Sequence, residues 1–395
     1  MVMDFLLKYK AIILFYAVII ILLYLKRKRL DFQAKVIVLY RMKWGIKWMD
    51  KYSSKFREWV VLLGYIGTGV GFIGMLTIMY VLIKNLVDLV LKPAATSGVA
   101  LVLPGTEIPG LGILPFWHWL IAIFLIALVH EFSHGIVARA HNIKVKNTGL
   151  VLFGPIIGAF VEPDEKKMRK ESDIVQYSIL AAGAFANILL AIAAILLLSF
   201  VTAPLQQTMI EPTGFSFASY VENGLPAETA GIPVNVIVYS IDGKEVTDFE
   251  SFSEVLYTKK PGDQIMVGTV ENEYPLTLID NPDSPGKPFL GIYNIKNEFD
   301  VKEQYQSGIG SVAFFTLEKL NGFQQPNHGF LKWLFLLSLG IGLFNLLPLP
   351  IVDGGRMAQV FLYKLQGAER GEKNYRRIGM FFLVILLFLL GLSFF

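Results

Sequence analysis

At 395 residues, with 54% hydrophobic and 17% charged side chains and a mean hydropathy of +0.53, the chain is too apolar for an ordinary soluble domain. Several runs are long enough to cross a bilayer. The formal net charge of +4 is modest, and no basic block is dense enough to point to nucleic acid; zero cysteines exclude disulfides, thiolate metal sites and cysteine nucleophiles.

The first apolar run, AIILFYAVIIILLYL within residues 5–25, ends in KRKR with no small-residue cleavage site, which predicts a retained anchor. Residues 30–58 are basic and interleaved with Trp44, Trp48, Tyr52, Phe56 and Trp59. That pattern fits either a segment lying among anionic headgroups or a solvated basic linker. A second span is expected over 60–91, with Gly64, Gly67, Gly71 and Gly74 marking one side for close helix contact. After a loop rich in Pro and Gly at 92–114, PFWHWL opens the third span, with Trp117 and Trp119 expected as interfacial anchors.

That third span contains IAIFLIALVHEFSHGIVA, residues 121–138, and so places His130, Glu131 and His134 in an apolar helix. Residues four apart share a helix face, so the two imidazoles can meet one ion with Glu131 alongside. Counting about 1.5 Å per residue from Pro115, His130 lies roughly 22 Å along a span of about 30 Å. The bland alternative, polar residues satisfied by helix packing, would require three separate buried partners.

Within the polar, basic stretch 138–174, GLVLFGPIIGAFVEP has two short apolar runs around Gly154 and Pro155, expected to form a hairpin or re-entrant loop. Its edge offers pairing to an extended peptide, and packing against the bundle is the plainer reading. The fourth span, 175–203, contains AGAFANILLA. Its Asn187 either ties two helices together or faces the metal cavity as a hydrogen-bond donor.

Residues 204–300 become polar, punctuated by Gly and Pro and rich in β-forming runs, which predicts a small inserted domain. The order NGLPAETAGI, IDGKEV, FESFSEVLYTKKPGD and FLGI resembles the PDZ domains attached to bacterial proteases. This resemblance implies a groove that accepts a peptide or new C-terminus as an added strand, with FLGI, Phe289 to Ile292, at its carboxylate end. A gate that excludes substrates with large outer domains is the favoured role; a reader of new C-termini is the other. A loop over 301–328 leads to a fifth span, 329–347, which ends in FNLLPLPIVDGGR. There Pro348 and Pro350 must break the helix, and broken backbone at membrane depth has to line a cavity or be buried in protein. Asp353 follows at once. Residues 357–377 are basic and polar, and 378–395 form the last crossing.

The fold expected is an α-helical polytopic membrane protein of about six transmembrane helices with an inserted β-rich, PDZ-like domain. Its parts are an anchor and basic segment (1–58), a first core part (59–203), the inserted domain (204–300), a linker (301–328) and a second core part (329–395). Six crossings put 26–58, 138–174 and 356–377 on one side with two thirds of the 36 Lys and Arg. That side is cytoplasmic by the positive-inside rule; the termini and inserted domain are then outside, and the metal motif lies in the cytoplasmic half of the cell membrane.

A catalytic zinc commonly takes His, His and a carboxylate and keeps one position open, so Asp353 is the natural third ligand. HEFSHG in one span, AGAFANILLA in the next, a PDZ-like insertion and NLLPLPIVDGGR together resemble the site-2 protease family of intramembrane zinc metalloproteases, over roughly residues 115–377. The resemblance implies Zn2+ held by His130, His134 and Asp353, Glu131 as general base toward zinc-activated water, and cleavage of single-span membrane proteins in the lipid bilayer. It also implicates Asn187, although the family's GPxxN reads GAFAN here; Val352 stands where Leu is common. Residues 1–58 have no counterpart in the family core. Two other classes compete: a non-catalytic metal-binding scaffold, which would not need Glu131, and a metal transporter, which would need a second ligand cluster along a path.

Overall fold

The computed structural model describes residues 2–33, 37–92, 98–99, 102–105, 107–108, 111–153, 156–222, 224–323 and 328–392. Two compact units are present: Met1–Ser199 with Leu320–Phe395, and Phe200–Lys319.

The first unit begins with helix α1 (Val2–Lys26), strands β1 (Leu30–Gln33) and β2 (Ile37–Met42), and the short helix α2 (Ile46–Lys55). The 35-residue helix α3 (Arg57–Leu91) follows, and then α4 (Phe116–Ala140). Strands β3 (Val145–Phe153) and β4 (Ile156–Pro163) pair antiparallel, with Thr148 opposite Val161. The expected hairpin is therefore built, although its Gly154 and Pro155 lie outside the described residues. β1 and β2 extend it into a four-stranded sheet of order β1-β2-β3-β4, so β4 is an edge strand. Gly149 permits the close pairing of β2 and β3, because a Cβ there would stand 2.2 Å from the Tyr40 carbonyl oxygen.

Helix α5 (Asp173–Leu197) packs against α3 and α4, and its Ala181, Ala182, Gly183 and Ala184 are what let its neighbours approach. Gly64, Gly67, Gly71 and Gly74 of α3 are all buried, as their spacing predicts; a Cβ at Gly67 would press on Phe185 and one at Gly74 on Leu346. The apolar span continues from α5 through a π-turn to Gln207.

The second unit holds β5 (Ile210–Tyr220), β6 (Val238–Ile241), helix α6 (Phe249–Leu256), β7 (Gln264–Thr269), β8 (Glu273–Thr277) and β9 (Ile292–Val301). Its sheet runs β8-β7-β6-β5-β9, with the two-residue strand Lys244–Glu245 off β6. Phe215, Phe217, Ile241, Phe252 and Val267 form its core, and β9 leaves one edge free. Helix α7 (Gly308–Asn321) occupies a stretch the sequence assigns to a loop; it buries Leu317 and exposes Ile309, Val312 and Phe315.

In the first unit again, α8 (Phe330–Phe344) packs on α5, and α9 (Asp353–Gln366) and α10 (Ala368–Leu392) form a pair. α10 begins ten residues before the expected crossing and carries the basic residues 370–377 as its first turns.

Among the described residues, four helices are long and apolar enough to cross a membrane: Arg57–Leu91, Phe116–Ala140, Asp173–Gln207 and Ala368–Leu392. The expected first span falls in the 25-residue helix α1, whose stretch Ile12–Lys26 is apolar, and the expected fifth contains the shorter apolar helix Phe330–Phe344. At about 1.5 Å per residue the 15 residues of α8 reach about 22 Å, short of a hydrocarbon core of about 30 Å. Trp119 also departs from expectation: it is 4% exposed and donates its indole N–H to the Val102 carbonyl at 3.1 Å, while Trp117 is exposed.

Candidate metal centre

α4 is apolar without a break from Trp119 to Val129, and the 3.6-residue repeat turns His130 and His134 onto one buried face. α8 stops at Phe344, and the chain turns through Pro348 and Pro350 before α9 begins with Asp353. The turn is tight enough that only glycine fits next: a Cβ at Gly354 would stand 2.2 Å from the Leu346 carbonyl oxygen, and one at Gly355 1.8 Å from that of Leu349. The DGGR sequence thereby sets Asp353 against α4.

The three side chains converge. His130 Nε2 lies 3.0 Å from Asp353 Oδ2, His134 Nε2 lies 3.2 Å from the same oxygen, and the two imidazole nitrogens are 3.2 Å apart. Donor atoms about 2.0–2.1 Å from a tetrahedral ion stand roughly 3.3 Å from one another. The observed triangle therefore fits a zinc ion with little movement. Gly183 of α5 faces it, and a Cβ there would come within 2.4 Å of His134 Nε2 and 2.5 Å of His130 Nε2, filling the space an ion and its open position need.

Both imidazoles are held from behind. His134 Nδ1–H donates to the Ile179 carbonyl at 2.6 Å, which leaves the Nε2 lone pair facing the centre. His130 Nδ1 meets the Asn187 side-chain amide at 3.1 Å. Asn187 is fully buried, its own carbonyl accepts from Ser338 Oγ at 2.8 Å, and its Oδ1 has no partner. Glu131 points elsewhere: its Oε2 accepts the backbone N–H of Val161 in β4 at 2.9 Å. Since alternate residues of an antiparallel strand turn their N–H groups outward, this bond identifies Ile157, Ala159 and Val161 as the residues presenting β4's free edge toward α4.

All five residues singled out in the sequence are thus in one neighbourhood, with three converging on a point, Asn187 behind one of them and Glu131 bridging to the sheet edge. Of the other histidines, His118 lies by the Phe330 ring and His141 by Ser178 Oγ, away from the centre. The Ile179 carbonyl and Gly183 were not foreseen; a backbone acceptor has no side-chain signature, and Gly183 is one of several small residues in AAGAFA.

The family model of peptidase family M50 matches residues 118–387, well over half of the chain. The chain is similar to the uncharacterized protein MJ0971 of Methanocaldococcus jannaschii, 28% identical over 384 residues, 93% of this chain and 89% of that protein. It is also similar to the zinc metalloprotease RasP of Oceanobacillus iheyensis, 25% identical over 53% of this chain and 56% of that one. With the regulator of sigma-E protease RseP of Escherichia coli it shares 27% identity over 47% of this chain, and the match spans 51% of that protein. A solved PDZ domain of an SdrC-like protein from Listeria monocytogenes aligns at 20% identity with 20% of this chain and 85% of its own, with a TM-score of 0.18.

Proposed function

The chain belongs to peptidase family M50, and from that premise we propose that it is a membrane-embedded zinc metalloendopeptidase that cuts single-span membrane proteins within or near their transmembrane helices. The observation that carries the reading is the triangle of His130 Nε2, His134 Nε2 and Asp353 Oδ2, whose ligand atoms all lie within 4.8 Å of one another, the two histidines on a helix apolar enough to cross a bilayer. His130, His134 and Asp353 would hold the ion. When bound, zinc supplies Lewis-acid activation of water near neutral pH.

The chain's own residues would do the rest. Glu131 takes up the proton of the attacking water and passes it to the leaving amine. For that it must exchange its hydrogen bond with Val161, and the outward N–H and C=O groups of Ile157, Ala159 and Val161 then become available to an extended substrate strand. Strand pairing would keep the scissile segment unwound, which a helix requires because its carbonyls are already bonded and shielded.

We assign Asn187 a positioning role. With His130 Nε2 directed at the metal, Nδ1 carries the proton, and two donors cannot face each other. A half-turn of the Asn187 amide brings Oδ1, otherwise buried without a partner, onto that N–H. The amide then fixes the tautomer that His130 needs as a ligand. The inserted domain is read as controlling substrate access; its free β9 edge, into which the Phe289 to Ile292 segment runs, is where an extended peptide or new C-terminus would pair. With the positive-inside orientation, the inserted domain is outside and the metal site is in the cytoplasmic half.

The test is a panel of tagged single-span proteins reconstituted with the full chain. Cleavage inside the apolar segment, abolished by a chelator and restored by zinc, supports the reading. Zinc binding with no cleavage of any member would favour the metal-binding scaffold.

A further inference from the structure

Residues 1–117 precede the stretch that the family model matches, yet part of them is built against the candidate active-site helix. From residue 43 to 56 the sequence KWGIKWMDKYSSKF repeats a lysine followed by an aromatic ring every four residues. In α2 this spacing makes a stripe: Trp48 and Tyr52 are 6.2 Å apart between ring centroids, Tyr52 stacks on Phe56 at 6.4 Å, and Lys55 lies over the Phe56 ring. The stripe is open, with Trp48 65%, Tyr52 40% and Phe56 43% exposed, and Lys43, Lys47, Lys51 and Lys55 are exposed beside it with no carboxylate partner among the described residues. Phe56 joins α2 directly to the spanning helix α3, so this face stands at a membrane boundary.

The opposite side of α2 grips α4. Met49 is fully buried, and a Cβ at Gly135, one residue beyond His134, would stand 2.6 Å from its sulfur. Gly45 fits only because it has no side chain, since a Cβ there would meet Phe132 at 2.4 Å. Asp50 pairs with Arg139, and Arg57 donates to the Ala140 carbonyl at 2.9 Å. Ahead of α2, Arg41 of β2 reaches across the sheet to Glu162 of β4 at 3.1 Å. The same segment therefore touches both the helix that carries the metal motif and the strand whose edge faces it.

We propose that the lysine–aromatic face of α2 docks on a leaflet containing anionic phospholipid headgroups, and that through Gly45, Met49 and Asp50 this docking braces the helix carrying His130, Glu131 and His134. Rings of Trp and Tyr suit the interface, and exposed lysines at four-residue intervals match a negatively charged surface better than they match a zwitterionic one or a basic or neutral protein. The inference concerns lipid contact and helix order and does not require that the chain be a protease.

Because the chain has no cysteine, Tyr52→Cys and, separately, Trp48→Cys give unique sites for a polarity-sensitive fluorophore. The labelled full chain is placed in nanodiscs of phosphatidylcholine alone or mixed with phosphatidylglycerol. Both labels should shift to the blue and be quenched by headgroup nitroxide lipid in the mixed discs, and added salt should reverse this. The combined variant Lys47→Glu, Lys51→Glu, Lys55→Glu should lose the response, at roughly fivefold in partition per lysine. Amide exchange across residues 130–140 should slow severalfold with phosphatidylglycerol in the unreversed chain and not in the charge-reversed one. Labels that report water in both discs, or the same burial regardless of lipid charge, overturn the docking; a charge-dependent label shift with unchanged exchange overturns the brace.

Discussion

His130 Nε2 and Asp353 Oδ2 lie 3.0 Å apart although 223 residues separate them in the chain. Two different devices deliver them: an uninterrupted apolar helix for His130, and for Asp353 a helix that ends early, a proline-broken turn and two glycines pressed against its carbonyls. An imidazole and a carboxylate at that depth are costly unless something charged joins them.

Asp353→Ala removes one corner of the triangle and leaves Gly354 and Gly355, and hence the turn, unchanged. Zinc per purified chain should fall from about one to a small fraction, since two imidazoles alone make an incomplete site. Metal analysis of detergent-purified protein measures it. Full zinc in the variant would show that the third ligand is another residue.

Asn187 separates two roles by substitution. Asn187→Ala should weaken metal affinity by roughly 10–100-fold, because His130 Nδ1–H loses its acceptor. Asn187→Asp keeps an acceptor at the same place and should restore most of the affinity. Competition with a chromophoric chelator reads both values; equal affinity in all three proteins would leave Asn187 no part in orienting His130.

In the inserted domain, Asp248 caps α6: its carboxylate accepts the Ser251 N–H at 2.7 Å, and Ser251 Oγ returns a bond from the Asp248 N–H. The Ser251 backbone bond holds the Asp248 carboxyl below its ordinary value. A carboxyl with a lowered folded pKa contributes stability above its unfolded value of about 3.9, and that contribution is lost as pH falls through the folded value. Amide protection of residues 249–256 in the full chain should therefore drop at acid pH, and Asp248→Ala should flatten this fall and cost about 1 kcal/mol near neutrality. A variant with wild-type acid sensitivity would assign the loss to other groups.

Substrate choice follows from backbone chemistry. Spans with Gly, Asn or Pro near the metal's depth should be cut faster than all-leucine versions, because unwinding precedes pairing with β4. Mass spectrometry of the products locates the cut. Equal rates for both kinds of span would remove the need for an opened strand.

Much of this arrangement is legible in the sequence because its signals are chemical. HEFSH in an apolar run, four glycines on one side of α3 and prolines followed by DGG each have a narrow physical meaning. The shared contact of Trp44, Met49 and Asp50 with α4 is not legible, since a basic aromatic stretch reads alike whether it is solvated, interfacial or docked. Pro348 and Pro350 announce that the apolar helix before them breaks, but the tightness of the turn from Phe344 to Asp353 is seen only in the contacts of Gly354 and Gly355. Trp119 is placed inside by its bond to the Val102 carbonyl, a backbone partner that no residue pattern announces.

The central claim is that the centre cuts peptide bonds with Glu131 as its base, and Glu131→Gln tests it most directly. The amide keeps the size of the side chain and an oxygen to accept the Val161 N–H, so the variant should fold and hold about one zinc per chain. It cannot take up a proton at neutral pH, and general-base contributions are commonly worth about 10²–10⁴-fold. In parallel reconstitutions with one tagged single-span substrate, the account predicts wild-type zinc content with cleavage reduced by at least about 100-fold; cleavage at the wild-type rate by the zinc-loaded variant would contradict it.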